Sequence, residues 1–191
     1  MTKTNAARLL EQQGIAYRLL SYAIREDEHL DAVAVASLVG LPPESVFKTL
    51  VARGDRNGPC MAVIPGPGTL DLKALARASG DRSTKLLALK EVTPLTGYVR
   101  GGVTALGAKK RLPVYLDASA LAFDEIAVSA GRKGLQLLLR PADYVAATAA
   151  KVAPLVGMSP CGTEQVAGLS HAGPACPRCY GPTRAACRCG G

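Results

Sequence analysis

Lys48 stands among apolar neighbours in Val46-Phe47-Lys48-Thr49-Leu50-Val51-Ala52. A buried ammonium is costly unless an anionic or oxygen-rich partner meets it. The plainer alternative is a stem that runs along apolar surface and delivers its charge to water. A second candidate is Gly97-Tyr98-Val99-Arg100-Gly101-Gly102, continued by Val103-Thr104-Ala105-Leu106-Gly107-Ala108-Lys109-Lys110-Arg111. The glycine pair lets backbone approach a ligand closely, and Arg100 with Lys109, Lys110 and Arg111 brings positive charge to the same bend. Exposed amides beside fixed cations suit an anionic or carbonyl-bearing ligand. The competing reading is a tight turn with a solvated basic end.

Three further groups are weaker. Ser129 in Ala127-Val128-Ser129-Ala130-Gly131 grazes the serine-nucleophile elbow but lacks its first glycine. The chain holds two histidines, His29 in an acidic patch and His171 near the end, and neither is placed to act as its base. Ser129 is expected to donate a hydrogen bond, to a ligand or within its own turn. Gly102 to Lys109 resembles a P-loop, but Ala108 intrudes and no Ser or Thr follows the lysine, so nucleotide hydrolysis is not expected. Finally, Cys176-Pro177-Arg178-Cys179 and Cys187-Arg188-Cys189 could gather four thiolates into a structural zinc site, with Cys161 and His171 as spare ligands. A thiol-rich end without metal is the alternative. Cys60, inside an apolar run, is expected to be core.

The elements that must position these residues read as follows. Thr4 or Asn5 caps a helix through Gln13, and the alternation over 15–22 predicts a strand ending at Tyr22. Asp31 caps a helix over 32–39, stopped by Gly40 and Pro42-Pro43. Strands over 46–52 and 60–64 form a hairpin across Gly54-Asp55-Arg56-Asn57-Gly58. Asp71 caps a helix to Ser79, and 84–89 could be a strand. Beyond the central loop lie strands at 114–116, 126–129 and 135–139, with a second glycine-rich basic turn, Ala130-Gly131-Arg132-Lys133-Gly134, between the last two. Pro141 opens a helix to about residue 150. Helices and strands mix without strict alternation, which predicts an α+β domain with a mixed sheet flanked by helices. Composition shifts near Gly157, giving a domain over 1–157 and a Gly/Pro/Cys-rich tail over 158–191.

With 191 residues and 48% hydrophobic content, the chain can bury one sizeable core. Its net charge of +8 favours anionic partners. Aromatic residues are only 4%, which argues against gripping nucleic acid through base stacking and for contact with phosphates or a tRNA end. No apolar run is long enough to cross a bilayer and no signal peptide is apparent, so a cytosolic location with reduced thiols is expected.

Taken together, the chain resembles the YbaK branch of the YbaK/EbsC and prolyl-tRNA synthetase-associated editing family. Four segments in order carry the resemblance: Val46 to Val51, Leu70-Asp71-Leu72-Lys73-Ala74-Leu75-Ala76, Thr96 to Gly102, and Val128-Ser129-Ala130-Gly131-Arg132-Lys133-Gly134-Leu135. The resemblance implies an aminoacyl-tRNA deacylase of this fold, acting on cysteine mischarged onto the tRNA for proline. It implies that Lys48 meets the substrate end of the tRNA, that Tyr22 and Ser129 line the pocket, and that the Gly101-Gly102 backbone lies beside the ester. In this branch the substrate's own thiol attacks its ester carbonyl, giving a cyclic thioester and free tRNA, so no catalytic cofactor is expected. The protein would then contribute positioning and electrostatics.

Partners implied are the 3′ aminoacyl end of mischarged tRNA and prolyl-tRNA synthetase, with no membrane. Two departures bear on specificity. Thr104-Ala105 replaces the Ser-Pro of the family's Gly-Gly-x-Ser-Pro-x-Gly loop, and Gln136 stands where many members of the YbaK branch carry Asp. Losing the proline frees a backbone angle, and losing the carboxylate removes a charge near the pocket. The alternatives are a deacylase for Ala- or Ser-mischarged tRNA and a non-catalytic tRNA- or synthetase-binding module.

Overall fold

The computed structural model describes residues 3–25 and 30–157. The elements run α1 (Asn5–Gln12), β1 (Arg18–Ser21), α2 (Ala32–Val39), β2 (Val46–Gly54), β3 (Gly58–Pro65), α3 (Leu72–Ser79), β4 (Thr84–Leu86), α4 (Leu89–Thr96), β5 (Val114–Asp117), β6 (Ile126–Ser129), β7 (Leu135–Leu139), α5 (Pro141–Thr148) and β8 (Lys151–Ala153). The helix starts follow side-chain capping. Thr4, Asp31 and Asp71 accept from the amides of Ala7, Ala34 and Lys73/Ala74, using donors that helical bonding leaves over.

The strands form one mixed sheet in the order β1-β7-β6-β2-β3-β5-β8, with β4 on the β6 side of β2. The β2–β3 hairpin runs in full register from Phe47 opposite Pro65 to Gly54 opposite Gly58. Carboxylates hold its turn: Asp81 accepts from the Arg56 and Asn57 amides, and Asp55 from those of Arg82 and Ser83. Alternation sorts the sheet's side chains onto two faces. Phe47, Val51, Met61, Val63, Val128, Leu137 and Leu139 pack with α1 and Tyr144 of α5 on one. On the other, Ala52, Ala62 and Ile64 pack on Leu75 of α3, while Val46, Ala127 and Leu138 pack on Ala36 of α2. Lys48, Ser129 and Gln136 belong to this second face by strand parity.

The mixed sheet with flanking helices agrees with the sequence reading, and three details differ. The first strand begins at Arg18, not Ile15, because the Ile15 amide bonds the Leu10 carbonyl and closes α1. The stretch over 84–89 divides into a three-residue strand and the start of α4, which has Pro94 inside it and no side-chain N-cap. Strand β8 was not anticipated, being a short edge with two exposed residues and no alternation to read.

Asp117 locks β8 to the sheet. It is 5% exposed, and its Oδ2 accepts from the Leu155 and Val156 amides at 2.7 and 3.0 Å while Oδ1 accepts from Ser119. Asp117→Asn replaces one acceptor oxygen with a donor facing amide donors. We expect a loss of about 1–2 kcal/mol, read as a lower urea midpoint at unchanged m.

Candidate active site

Strand β2 has two different neighbours on one side. Its start pairs with β6 in parallel (Val46 with Ala127, Phe47 with Val128), and its end pairs with β4 in antiparallel (Ala52 with Leu86 to Gly54 with Thr84). A cavity of about 470 Å³ opens where these neighbours part. Its floor is residues 46–51 of β2. Its walls come from Tyr22 and Ile24 after β1, the N-terminal turn of α2, the β4–α4 segment, Arg100, Gly101 and Val103, and Ser129, Lys133 and Gln136.

Lys48 rises from this floor, and its Nζ donates to the Gly66 carbonyl at 2.7 Å. Desolvation holds its pKa below the ordinary 10.5, and the negative charge of Asp31 partly opposes that shift. The carboxylate of Asp31 is already engaged in capping α2, accepting from the Ala34 amide at 2.8 Å. Lys48 thus combines both sequence readings, with its stem among apolar residues of the floor and its amine met by a carbonyl oxygen. Among the described residues the ionisable lining is Tyr22, Asp31, Lys48, Arg100 and Lys133, three cations against one carboxylate. No cysteine or histidine of the described residues lines it.

Tyr22, Lys48, Gly101, Ser129 and Gln136 all line this one cavity. Ser129 and Gln136 are register partners across β6 and β7. The Ser129 Oγ receives the Gly131 amide at 3.4 Å, a long contact within its own turn. Gln136 is 5% exposed, and its Oε1 has no hydrogen-bond partner among the described residues. A buried acceptor of that kind is costly unless something supplies a donor, and here it borders the cavity.

Gly102, expected beside the ester, does not border the cavity. It is buried, and a Cβ there would lie 3.3 Å from the backbone of Arg132. Its smallness lets the two glycine-rich loops touch backbone to backbone. Gly101, at φ +83°, is the member of the pair that faces the cavity, under the stem of Lys133. Tyr98 closes the first of these loops on itself and backs onto the second: it is 7% exposed, its hydroxyl shares its one proton between the Leu106 and Gly107 carbonyls at 2.7 and 3.0 Å, and its ring lies against Gly131. Thr104, fully buried, uses its hydroxyl to accept the Leu106 amide at 3.4 Å. The freedom expected from the missing proline is met by this local closure.

The basic bend also divides. Arg100 borders the cavity, whereas the Lys109 and Lys110 amides bond the carbonyls of Thr96 and Leu95 at the end of α4, where cations are favoured. Lys110 and Arg111 border a separate cavity of about 540 Å³ beside α1 and α5. Cys60 is 3% exposed and its thiol is pushed up to about 11 by burial, in keeping with a core position. Cys161, Cys176, Cys179, Cys187, Cys189, His29 and His171 lie outside the described residues. Among the described residues no group of three or more metal-ligating side chains comes together, and no helix is long and apolar enough to cross a membrane.

Sequence reasoning missed Lys133, Asp31 and Val35 as cavity residues. The signal for Lys133 was available, since it repeats in a second glycine-rich turn the pattern of cations beside glycines. Asp31 and Val35 are brought in by the tertiary placement of α2.

The chain matches the aminoacyl-tRNA editing domain over residues 26–147. It is 46% identical over 139 residues to an Enterococcus faecalis protein named as a candidate Cys-tRNA(Pro)/Cys-tRNA(Cys) deacylase, EbsC, covering 73% of this chain and 84% of that protein. It is 29% identical over 150 residues to the multifunctional Ser/Thr-tRNA deacylase ProXp-y of Escherichia coli, covering 76% and 87%. A crystal structure described as a candidate trans-editing enzyme for prolyl tRNA synthetase superposes with a TM-score of 0.71 at 27% identity, over 82% of this chain and 99% of that one. A cavity shared by the lysine strand and the glycine loop is therefore found in a chain that belongs to the aminoacyl-tRNA editing domain family.

Proposed function

We propose that this protein is a trans-acting aminoacyl-tRNA deacylase that releases cysteine mischarged onto the tRNA for proline. The observation that carries the reading is the joining of Lys48, the Gly101 backbone, Ser129 and Gln136 in one cavity that offers no described histidine or cysteine nucleophile. A substrate that brings its own thiol needs none from the protein. In the reaction, the cysteinyl sulfur forms a bond to its own carbonyl carbon and the ester C–O bond breaks. The thiol proton ends on the ribose oxygen, leaving a cyclic thioester that water opens to free cysteine. Lys48 faces the negative charge that builds on the carbonyl and leaving oxygens, and a fixed cation in a partly dry site is worth more there than in water. The cavity holds the sulfur and carbonyl in reacting geometry, the main gain for an intramolecular attack. Arg100 and Lys133 at the wall suit the phosphate next to the terminal adenosine, and prolyl-tRNA synthetase is the partner that would generate the substrate.

The kinship with a Ser/Thr-tRNA deacylase defines the competing outcome. The test is one enzyme preparation against Cys-, Ser- and Ala-charged tRNA(Pro). Cys-tRNA(Pro) is expected to react fastest, with the cyclic thioester or its trapped adduct as first product. Faster release of serine would move the activity to hydroxyl substrates, and tight tRNA binding with no release of any amino acid would favour a binding module.

A further inference from the structure

The backbone of β2 contributes an element that no side chain reveals. Its even-numbered residues bond to β3, as the register from Lys48–Ile64 to Gly54–Gly58 and the Gly66 amide on the Val46 carbonyl require. Its odd-numbered residues therefore turn their amides and carbonyls toward β6 and β4. Phe47 is paired with Val128, the Val51 carbonyl receives the Leu87 amide at 2.9 Å, and the Asp55 amide reaches the Ser83 carbonyl. Between them, with the β6 pairing ending at Phe47 and the β4 pairing beginning at Ala52, no ladder partner among the described residues faces the N–H and C=O of Thr49 or the N–H of Val51. Thr49, Leu50 and Val51 all border the cavity, on the side of β2 that β6 and β4 leave uncovered. Main-chain groups left open inside a fold demand water or a ligand.

We propose that this open edge recognises the aminoacyl group itself: the Thr49 carbonyl accepts from the substrate's α-ammonium, and the Val51 N–H donates to the ester carbonyl oxygen. An extended aminoacyl ester presents its nitrogen and carbonyl oxygen on one side, as a strand residue does, so it can dock as a one-residue extension of β6 along β2. The Val51 donor then meets the oxygen on which charge develops, while Lys48 approaches from the sheet's face. Side-chain identity is left to the rest of the cavity, so the edge grips any aminoacyl ester and discrimination falls to what surrounds it. This inference rests on the deacylase reading above.

The test replaces Val51 with its α-hydroxy analogue by cell-free translation, turning the Leu50–Val51 amide into an ester and deleting one N–H. That N–H holds no partner among the described residues, so the thermal midpoint should stay near wild type. The kcat/KM for Cys-tRNA(Pro) should fall on the order of 10²-fold, the scale seen when one oxyanion donor is removed. Unchanged kcat/KM overturns the assignment. Because an ester also weakens the neighbouring carbonyl, amide hydrogen exchange of wild-type protein provides a second readout. With 3′-cysteinylamido-3′-deoxyadenosine as the probe, the Val51 amide should become protected while Leu50 and Ala52, bonded to β3, keep their free-protein rates. Perturbation of Lys48 by the probe without protection of Val51 overturns the proposal and leaves the deacylase reading standing. Failure of wild-type protein to release cysteine overturns both.

Discussion

Lys48→Met is expected to lower kcat/KM for Cys-tRNA(Pro) by on the order of 10²–10³-fold while leaving the protein as stable as wild type or slightly more so. The activity loss follows from removing the charge that faces the developing oxyanion, for which single preorganised groups are worth roughly that much. Stability should not fall with it, because burial depresses the folded-state pKa of Lys48. The unfolded chain therefore binds this proton more tightly, and stability rises with pH between the folded value and the ordinary 10.5. Below that window the charged amine is a small cost to folding, partly offset by its bond to the Gly66 carbonyl. Methionine removes the cost and keeps the stem. Any advantage of the variant should thus be largest near neutral pH and shrink as pH rises through the window. The checks are single-turnover deacylation and thermal unfolding at several pH values. A variant that unfolds early would overturn the stability argument, and one that deacylates at the wild-type rate would remove Lys48 from the mechanism.

Much of this site could be read before any coordinates. Lys48 announced itself by being the wrong residue for its strand, and Ser129 and Gln136 lay in or beside a recognisable basic turn. The helices at 32–39 and 72–79 were legible because an aspartate caps each start and a glycine ends it. What stayed hidden was tertiary. Gly101 and Gly102 are chemically identical in the sequence, and only the approach of the Gly131–Arg132 backbone decides that one lines the cavity and the other is buried beside it. Helix α4 escaped notice because its stability comes from burying Val92 and Thr96, not from a cap or a helix-favouring composition. The open stretch of β2 is likewise invisible to sequence, since it arises from β6 and β4 stopping short of each other. The partition of the basic bend into a cavity cation and a helix-end pair has the same origin.

Gly131→Ala should be among the most damaging substitutions that leave every side-chain function of the site in place. Gly131 lies at φ +88°, where a Cβ costs about 1–2 kcal/mol by backbone strain alone. The added methyl would also stand 2.7 Å from Cε1 of Tyr98 and 3.2 Å from its Cζ, well inside contact distance. Tyr98 cannot yield cheaply. It is buried, and displacing its ring strips the Leu106 and Gly107 carbonyls of the one proton they share, at about 1 kcal/mol. Strain and the lost bond together come to about 2–3 kcal/mol, a sizeable share of the 5–15 kcal/mol typical of a domain. Gly40→Ala gives the comparison that separates the causes. Gly40 has φ +70° with nothing within 4 Å of the added Cβ, so it should lose about 1 kcal/mol, from the backbone alone. Urea unfolding of the two variants measures the difference. Because the Tyr98 hydroxyl closes the loop that carries Gly101 while its ring packs against the turn that carries Lys133, Gly131→Ala should also reduce kcat/KM at temperatures where it remains folded, and Gly40→Ala should not. Equal destabilisation of the two variants would mean that the Tyr98 clamp yields freely and that the cavity wall is held by other contacts.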